Sequence, residues 1–408
     1  MNNSSLSRLE LTETEIDATV SGSLAFLLGK SSQHNALKSL TLHWNDHREE
    51  NGFGEEGIVD IVEGLKMHSQ LEELSIRYNN VGTSGCMALG SQIDWEASNL
   101  KKLDLSFNRI DDEGMEALIA GLLTKCANLE ELDLSSSMMF MTDVGITSLS
   151  NFLQSESCTI TSLIFGWATY VEVLEALVPN LANCVTLKKL DFENSDDFSG
   201  EVCMALGLWL SSERSNLECL NVFQTRICDF GVTALIAGLM GNSTLKQLGF
   251  HAEGIPEKSW SDFSMLLCDT SSIKSTYESN HTIRINIHGN LGLVPTFVDV
   301  PIVLNNSIDN WQEVAMCKIL MLNPDIDMKP FMNLFDGHHA GLEDDEELLD
   351  KQKLKMLPIV MSWFQRVEPC RIHLNESLQV FQSRKLSSMY QFVRGLPMLF
   401  VGAQFTTN

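Results

Sequence analysis

The sequence repeats itself. Segments of the form Leu-x-x-Leu-x-Leu, with Ile, Val or Phe at some of the Leu places, begin at Leu6, Leu37, Leu71, Leu100, Leu129, Ile160, Leu187, Leu217 and Leu245. The intervals are 31, 34, 29, 29, 31, 27, 30 and 28 residues. A unit of that length is one strand-turn-helix module, which cannot bury its own apolar face; stacked neighbours close the core together. Numbering places from the first Leu, the fourth and sixth (Leu103 and Leu105, for example) point into the core. The third, fifth and seventh point to the opposite face, because strand side chains alternate. A helix is expected after most strands, from the apolar stripes Ile58-Val59-Ile61-Val62-Leu65, Met115-Leu118-Ile119-Leu122 and Val232-Leu235-Ile236-Leu239. Gly57, Gly85, Gly114, Gly145 and Gly231 stand at the helix entries.

The expected fold class is therefore α/β: a solenoid bent into a horseshoe, with parallel strands on its concave face and helices on its convex face. A longer period lies over the short one. Cys86-Met87-Ala88-Leu89-Gly90 returns as Cys203-Met204-Ala205-Leu206-Gly207, and Ala117–Leu122 returns as Ala234–Leu239, both 117 residues on. That offset is four units. It reads either as a four-unit duplication or as equivalent buried helix slots selecting the same small residues.

Units of this length with a full helix resemble the ribonuclease-inhibitor type of leucine-rich repeat, over roughly residues 6–272. The Asn place of that pattern is filled at Asn45, Asn79 and Asn108; later units carry Ser137, Ala168, Ser195, Thr225 and Glu253 there, which predicts less regular turns. The resemblance implies a fold and a protein-binding habit, not a particular partner. It divides the chain into an N-terminal capping repeat (1–36), the repeats proper (37–272) and a C-terminal α-helical cap (273–408). Helical spacing in that last part falls at 310–322, 328–335, 345–366 and 383–396, after a polar, turn-like stretch at 275–282. The closing segment Leu386–Phe400 resembles the tails of ribonuclease-inhibitor-like repeat proteins of microalgae, which implies no activity.

Charge narrows the partner. The formal net charge is −26. Residues 1–272 hold 16 Lys and Arg against 39 Asp and Glu, whereas residues 273–408 hold 12 against 15, so the acidity belongs to the repeats. Nucleic acid is not an expected partner, since phosphate binding needs clustered cations; a protein with a basic surface is. The sequence shows no apolar run long enough for a membrane span and no signal-like start, so a cytoplasmic or nuclear location is expected.

The candidate site is the strand face. Asp104, Glu131, Asp133, Asp191 and Glu193 cluster on its middle units, and no Lys or Arg occurs between Cys126 and Leu187. They form either a docking surface for a basic partner or a solvated acidic face. Ile164 and Phe223 break the polar pattern there, as anchors or as contacts with a neighbouring turn or the tail. Trp44, Tyr78, Phe107 and Trp167 fill the eighth place just after the strand. They make either a line of binding hot spots or a half-buried rim.

No catalytic residue, metal site or cofactor is assigned. The chain contains no zinc-protease, serine-hydrolase or P-loop motif. His338-His339 beside Asp336 and the acids of 343–347 read as a solvated loop before a cation site. Cys126, Cys158 and Cys184 precede successive strands, as packing residues before a redox or metal ladder. The function expected is a non-enzymatic interaction scaffold or inhibitor. The alternative is a GTPase-activating protein of the Ran type, in which Arg77, Asn79 or Arg109 would complete another protein's active site.

Overall fold

The computed structural model describes residues 6–12, 18–31, 36–43, 53–66, 68–125, 128–167, 171–195, 198–252, 255, 257–288 and 294–322. Strand and helix alternate through it. The first five pairs are β1 (Arg8–Thr12) and α1 (Ala18–Ser31), β2 (Ser39–His43) and α2 (Gly54–Leu65), β3 (Glu73–Arg77) and α3 (Gly82–Gln92), β4 (Lys102–Asp104) and α4 (Asp112–Lys125), and β5 (Glu131–Asp133) and α5 (Asp143–Leu153). Then come β6 (Ser162–Ile164) and α6 (Val171–Leu181), β7 (Lys189–Asp191) and α7 (Gly200–Leu210), β8 (Cys219–Val222) and α8 (Asp229–Leu239), and β9 (Gln247–His251) and α9 (Glu257–Leu267). After them follow α10 (Ile273–Glu278), β10 (Arg284–His288), α11 (Thr296–Ser307) and α12 (Trp311–Leu322). Two compact units result. The first runs to Ile255 and takes in Asn286–Leu291; the second holds Pro256–Ile285 and the residues from Gly292 on.

The ten strands form one sheet in sequence order. The pairing from β1 to β9 is parallel and keeps place against place: Arg8, Ser39, Glu73, Lys102, Glu131, Ser162, Lys189, Cys219 and Gln247 lie in one row. The repeat places of the sequence are thus literal rows of the sheet. From β2 onward the fourth- and sixth-place residues are buried, among them Leu103, Leu132, Leu163, Phe165, Leu190 and Phe192.

The turns after the strands are tied by the ninth-place side chains, all buried where described. The Asn108 amide donates to the carbonyls of Ile76 at 2.6 Å and Leu105 at 2.9 Å, and its Oδ1 accepts from Asn79 N–H at 3.0 Å and Val81 N–H at 3.1 Å. Buried backbone groups in a turn need such partners. In later units Ser137, Ser195 and Thr225 reach back to the preceding unit's strand-end carbonyl with a hydroxyl: Ser137 to Leu105, Ser195 to Phe165 and Thr225 to Phe192. The turns there keep the same back-bond with fewer hydrogen bonds per side chain, so the irregularity expected of them is small.

The helix layer explains part of the 117-residue echo. A Cβ on Gly121 would stand 2.2 Å from the Gly90 carbonyl oxygen, and one on Gly238 would stand 2.2 Å from that of Gly207. The repeated small residues are where α3 crosses α4 and where α7 crosses α8 with backbone on backbone. Packing therefore gives a reason for the recurring glycines, though not for the exposed Met87 and Met204 that recur with them.

The second unit departs from the sequence reading at two points. Residues expected to be turn-like begin instead with α10, capped by the Ser272 hydroxyl, which accepts from Ser275 N–H at 3.0 Å. Beyond it the alternation Ile283, Ile285, Ile287 builds β10, outside any Leu-x-x-Leu-x-Leu frame. The helix expected at 310–322 is α12. Its Lys318 is fully buried, and its ammonium donates to the carbonyls of Leu267 at 2.6 Å and Asn280 at 3.0 Å. The helices expected at 328–335, 345–366 and 383–396, and the His338-His339 loop, lie outside the described residues.

Candidate functional site

The open strand face is built from local turn chemistry. At the fifth place a short acid or amide accepts the N–H two residues on: Asp104 from Ser106 at 2.9 Å, Asp133 from Ser135 at 2.9 Å, Asp191 from Glu193 at 3.1 Å and Asn221 from Phe223 at 3.1 Å. This side-chain-to-backbone bond is a general habit of Asp and Asn at strand ends. It gives the acidic row a structural reason independent of any partner.

At the eighth place every described residue from unit three to unit eight has left-handed backbone: Tyr78, Phe107, Ser136, Trp167, Asn194 and Gln224, at φ between 50° and 59°. Side chains rarely adopt this conformation, which costs on the order of 1 kcal/mol each. The turn is held because the eighth-place N–H donates to the seventh-place carbonyl of the next unit. Those bonds run Tyr78 to Ser106 (3.2 Å), Phe107 to Ser135 (2.7 Å), Ser136 to Gly166 (3.0 Å), Trp167 to Glu193 (2.8 Å) and Asn194 to Phe223 (2.8 Å). The sequence shows no glycine at this place, so the left-handed row was not legible there.

That row brings the aromatics together. Tyr78 and Phe107 stack with ring centroids 4.1 Å apart, and Trp167, two units on, reaches Phe107 at 5.9 Å. Trp167 is 49% exposed. His43 stacks on Tyr78 at 5.7 Å from the other side. Trp44, the fourth expected member, lies outside the described residues. The Arg77 guanidinium sits over Phe107 at 4.6 Å and over Tyr78 at 5.3 Å, within cation–π range.

The acids are less isolated than the chain order implies. Sheet rows carry Lys102 to within 3.7 Å of Glu131, and Lys189 lies 3.8 Å from Asp191. Asp104, Asp133, Ile164 and Asp191 are consecutive in the fifth-place row. Asp133 is the most perturbed of them. Burial pushes its carboxyl up to about 6; neighbouring Asp104 pushes the same way, while Ser135 and Arg77 oppose. Ile164 is half-buried between Asp133 and Asp191.

Several expected surface positions are internal, among them Ser39 and Ser162 at the third place and Gly249 at the fifth. Ser106, Ser135 and Gly166 at the seventh place are buried, because the chain has already begun to turn under the next unit there. A Cβ on Gly166 would meet the Glu193 carbonyl oxygen at 2.8 Å. Phe223 is half-buried, and its ring covers the next strand: a Cβ on Gly249 would stand 2.9 Å from Phe223 Cζ. Phe223 therefore packs on its neighbour, at a different row from the aromatics Tyr78, Phe107 and Trp167.

Packing accounts for part of the other candidate chemistry. Asn79 is buried, with its amide committed to the carbonyls of Leu42 and Arg77. Arg109 is exposed, its guanidinium 5.9 Å from the Phe140 ring. Cys158 and Cys184 are buried and their thiols are pushed up by burial, that of Cys184 to about 12, which suppresses the reactive thiolate. Cys126 lies outside the described residues. Among the described residues no three His, Cys, Asp or Glu group as metal ligands, and no helix is long and apolar enough to cross a membrane.

The family model described as Leucine Rich repeat matches residues 69–90 and 96–118, which span β3, α3, β4 and most of α4. These are leucine-rich repeats. The in-register rows extend the same module through the first unit, so the fold is an α/β leucine-rich-repeat solenoid. Comparison with curated proteins gave no match. Among solved structures, the actin-binding site 2 of leiomodin-1 superposes with a TM-score of 0.31 at 18% identity, over 38% of this chain and 86% of that one. An internalin (inlF) from Listeria monocytogenes superposes with a TM-score of 0.32 at 13% identity, over 72% of this chain and 85% of that one.

Proposed function

We propose that this leucine-rich-repeat chain is a non-enzymatic scaffold or inhibitor whose strand face docks a protein with a basic surface, and that its repeats are of the ribonuclease-inhibitor type. The observation that carries the reading is the aromatic row, in which Tyr78 stacks on Phe107 and a tilted Trp167 reaches Phe107, taken together with the fifth-place acids. Large, pre-stacked rings lose little side-chain entropy when a partner covers them, and they dominate interface energetics where they occur. The flanking Asp104, Glu131, Asp133, Asp191 and Glu193 supply steering and select for cations. Ile164 adds apolar area between two of these acids, and the exposed part of Phe223 is a separate apolar contact two units on.

The test is affinity capture followed by a quantitative binding assay on the captured partner. Trp167→Ala should weaken binding by at least about 2 kcal/mol, roughly thirtyfold, as hot-spot tryptophans do. The pair Glu131→Lys and Asp133→Lys should slow association, most at low salt. A partner bound equally well by wild type and both face variants would dock elsewhere and would remove the proposal.

A further inference from the structure

Among the described residues, the β1 edge of the sheet leaves apolar side chains exposed. β1 is an edge strand, with no described strand outside it. Leu9 and Leu11 occupy the same places as Leu40 and Leu42 of β2; the latter are 0% exposed, whereas Leu9 and Leu11 stay half-exposed. The helix beside them is equally bare. Ser21 and Ala25 abut α2, since Cβ atoms on Gly57 and Gly64 would meet them at 3.1 Å and 2.6 Å. At about 100° per residue, Val20 and Leu27 lie on the opposite side of α1, turned away from α2. They are 39% and 62% exposed, and Leu6, just before β1, is 42% exposed. Open solenoid ends and free strand edges expose apolar side chains and unpaired backbone, and folded proteins manage them by covering or pairing.

We propose that a second copy of this chain pairs with β1, antiparallel and centred on Leu9, to make a twofold-symmetric dimer. The backbone parity allows it. The Ser7 carbonyl accepts from Lys38 and Ser39 N–H on the β2 side, so strand alternation turns the N–H and C=O of Arg8 and Glu10 outward. In an antiparallel pair centred on Leu9, Arg8 faces Glu10 of the other copy as a hydrogen-bonded pair, twice. The side chains then meet with opposite charge. Registers centred on Arg8 or on Glu10 would set like charges face to face, at a cost. Of the registers that set these charged residues face to face, only the one centred on Leu9 brings opposite charges together, and within one copy they already attract, 3.3 Å apart. The twofold axis stands normal to the sheet, which keeps both helix layers on one side and brings Val20 and Leu27 of α1 against their symmetry mates. This is an isologous contact of the kind most homodimers use. It leaves the strand-face docking surface of the middle units free, so it stands or falls independently of that proposal.

The experiment is mass determination on the full chain by sedimentation and light scattering, from about 1 to about 100 µM. Salt is set at about 0.15 M, where a Debye length of about 8 Å screens two chains of like net charge. Wild type should move from the 45.5 kDa chain mass toward twice that value as concentration rises. Glu10→Arg places Arg opposite Arg and should shift dissociation at least tenfold toward monomer; Leu27→Glu should do the same. The exchanged variant Arg8→Glu with Glu10→Arg restores the opposite-charge pair and should restore the dimer. A wild type that stays monomeric throughout overturns the proposal, as does a dimer indifferent to Glu10→Arg and Leu27→Glu. A dimer lost in Glu10→Arg and not recovered in the exchanged variant overturns the register.

Discussion

Asp133 offers a measurable conflict between a turn and its surroundings. Burial raises its carboxyl from an ordinary 3.8 to about 6, with Asp104 pushing the same way. The folded protein therefore holds this proton over a pH range in which the unfolded chain has already released it. Stability contributed by the site falls as pH rises from about 4 to about 6 and stays low above that. At about 1.4 kcal/mol per unit, the two-unit displacement sets a ceiling of about 3 kcal/mol. Partial solvent access brings the expected figure to about 1–2 kcal/mol. Asp133→Asn removes the charge and keeps the turn, because Asn221 at the equivalent place accepts the Phe223 N–H at 3.1 Å with its amide oxygen. The variant should be more stable than wild type by about 1–2 kcal/mol at about pH 7.5, and the gain should vanish by about pH 4. Urea unfolding followed by far-UV circular dichroism across that range, at equal protein concentration, reads the difference directly. A variant less stable than wild type at about pH 7.5, or a gain independent of pH, would refute the account of Asp133 as a charge held out of solvent.

Asn108→Ala removes a side chain making hydrogen bonds in two successive units and should cost about 2–4 kcal/mol in chemical denaturation. Asn108→Ser should cost less, since Ser137 fills the next unit's equivalent place with a single hydroxyl. Gly121→Ala drives a methyl into the Gly90 carbonyl and should cost more than about 3 kcal/mol, whereas Gly29→Ala in α1, with nothing within 4 Å, should be neutral or gain about 0.5–1 kcal/mol; thermal melts compare the two. Lys318 is pushed down to about 7 by burial, partly offset by Cys268, so its amine is more readily neutral folded than unfolded. The wild-type second unit should gain stability as pH rises from about 7 to about 10, and Lys318→Met should abolish that slope in hydrogen exchange of α12.

The fold was legible because one physical signal repeats: Leu at the fourth and sixth places and a 3.6-residue stripe behind it, at near-constant spacing. Leu103, Leu132 and Leu190 occupy the interior for the same reason that they could be read as doing so. β10 escaped because Ile283, Ile285 and Ile287 follow a period of two without the preceding Leu frame. α10 escaped because its helical character comes from the Ser272 cap and not from an apolar stripe. The aromatic row could be listed from the sequence, but its stacking depends on left-handed backbone at Tyr78, Phe107 and Trp167, which no residue type there announces. The apparent isolation of the acids was a one-dimensional impression. Lys102 is 29 residues from Glu131 along the chain and one strand away in space.

The glycine crossings bear on how such an array could be lengthened or cut. α3 and α4 are mated through Gly90 and Gly121, α7 and α8 through Gly207 and Gly238, and α1 and α2 through Ala25 and Gly64. Each helix of such a couple is shaped for one particular neighbour. Excising one module would set a bare glycine groove against a helix with side chains in the way. Excising a whole couple leaves every remaining groove with its mate, so recombination and engineering alike should tolerate loss of α3 together with α4, or of α7 together with α8, far better than loss of either helix alone.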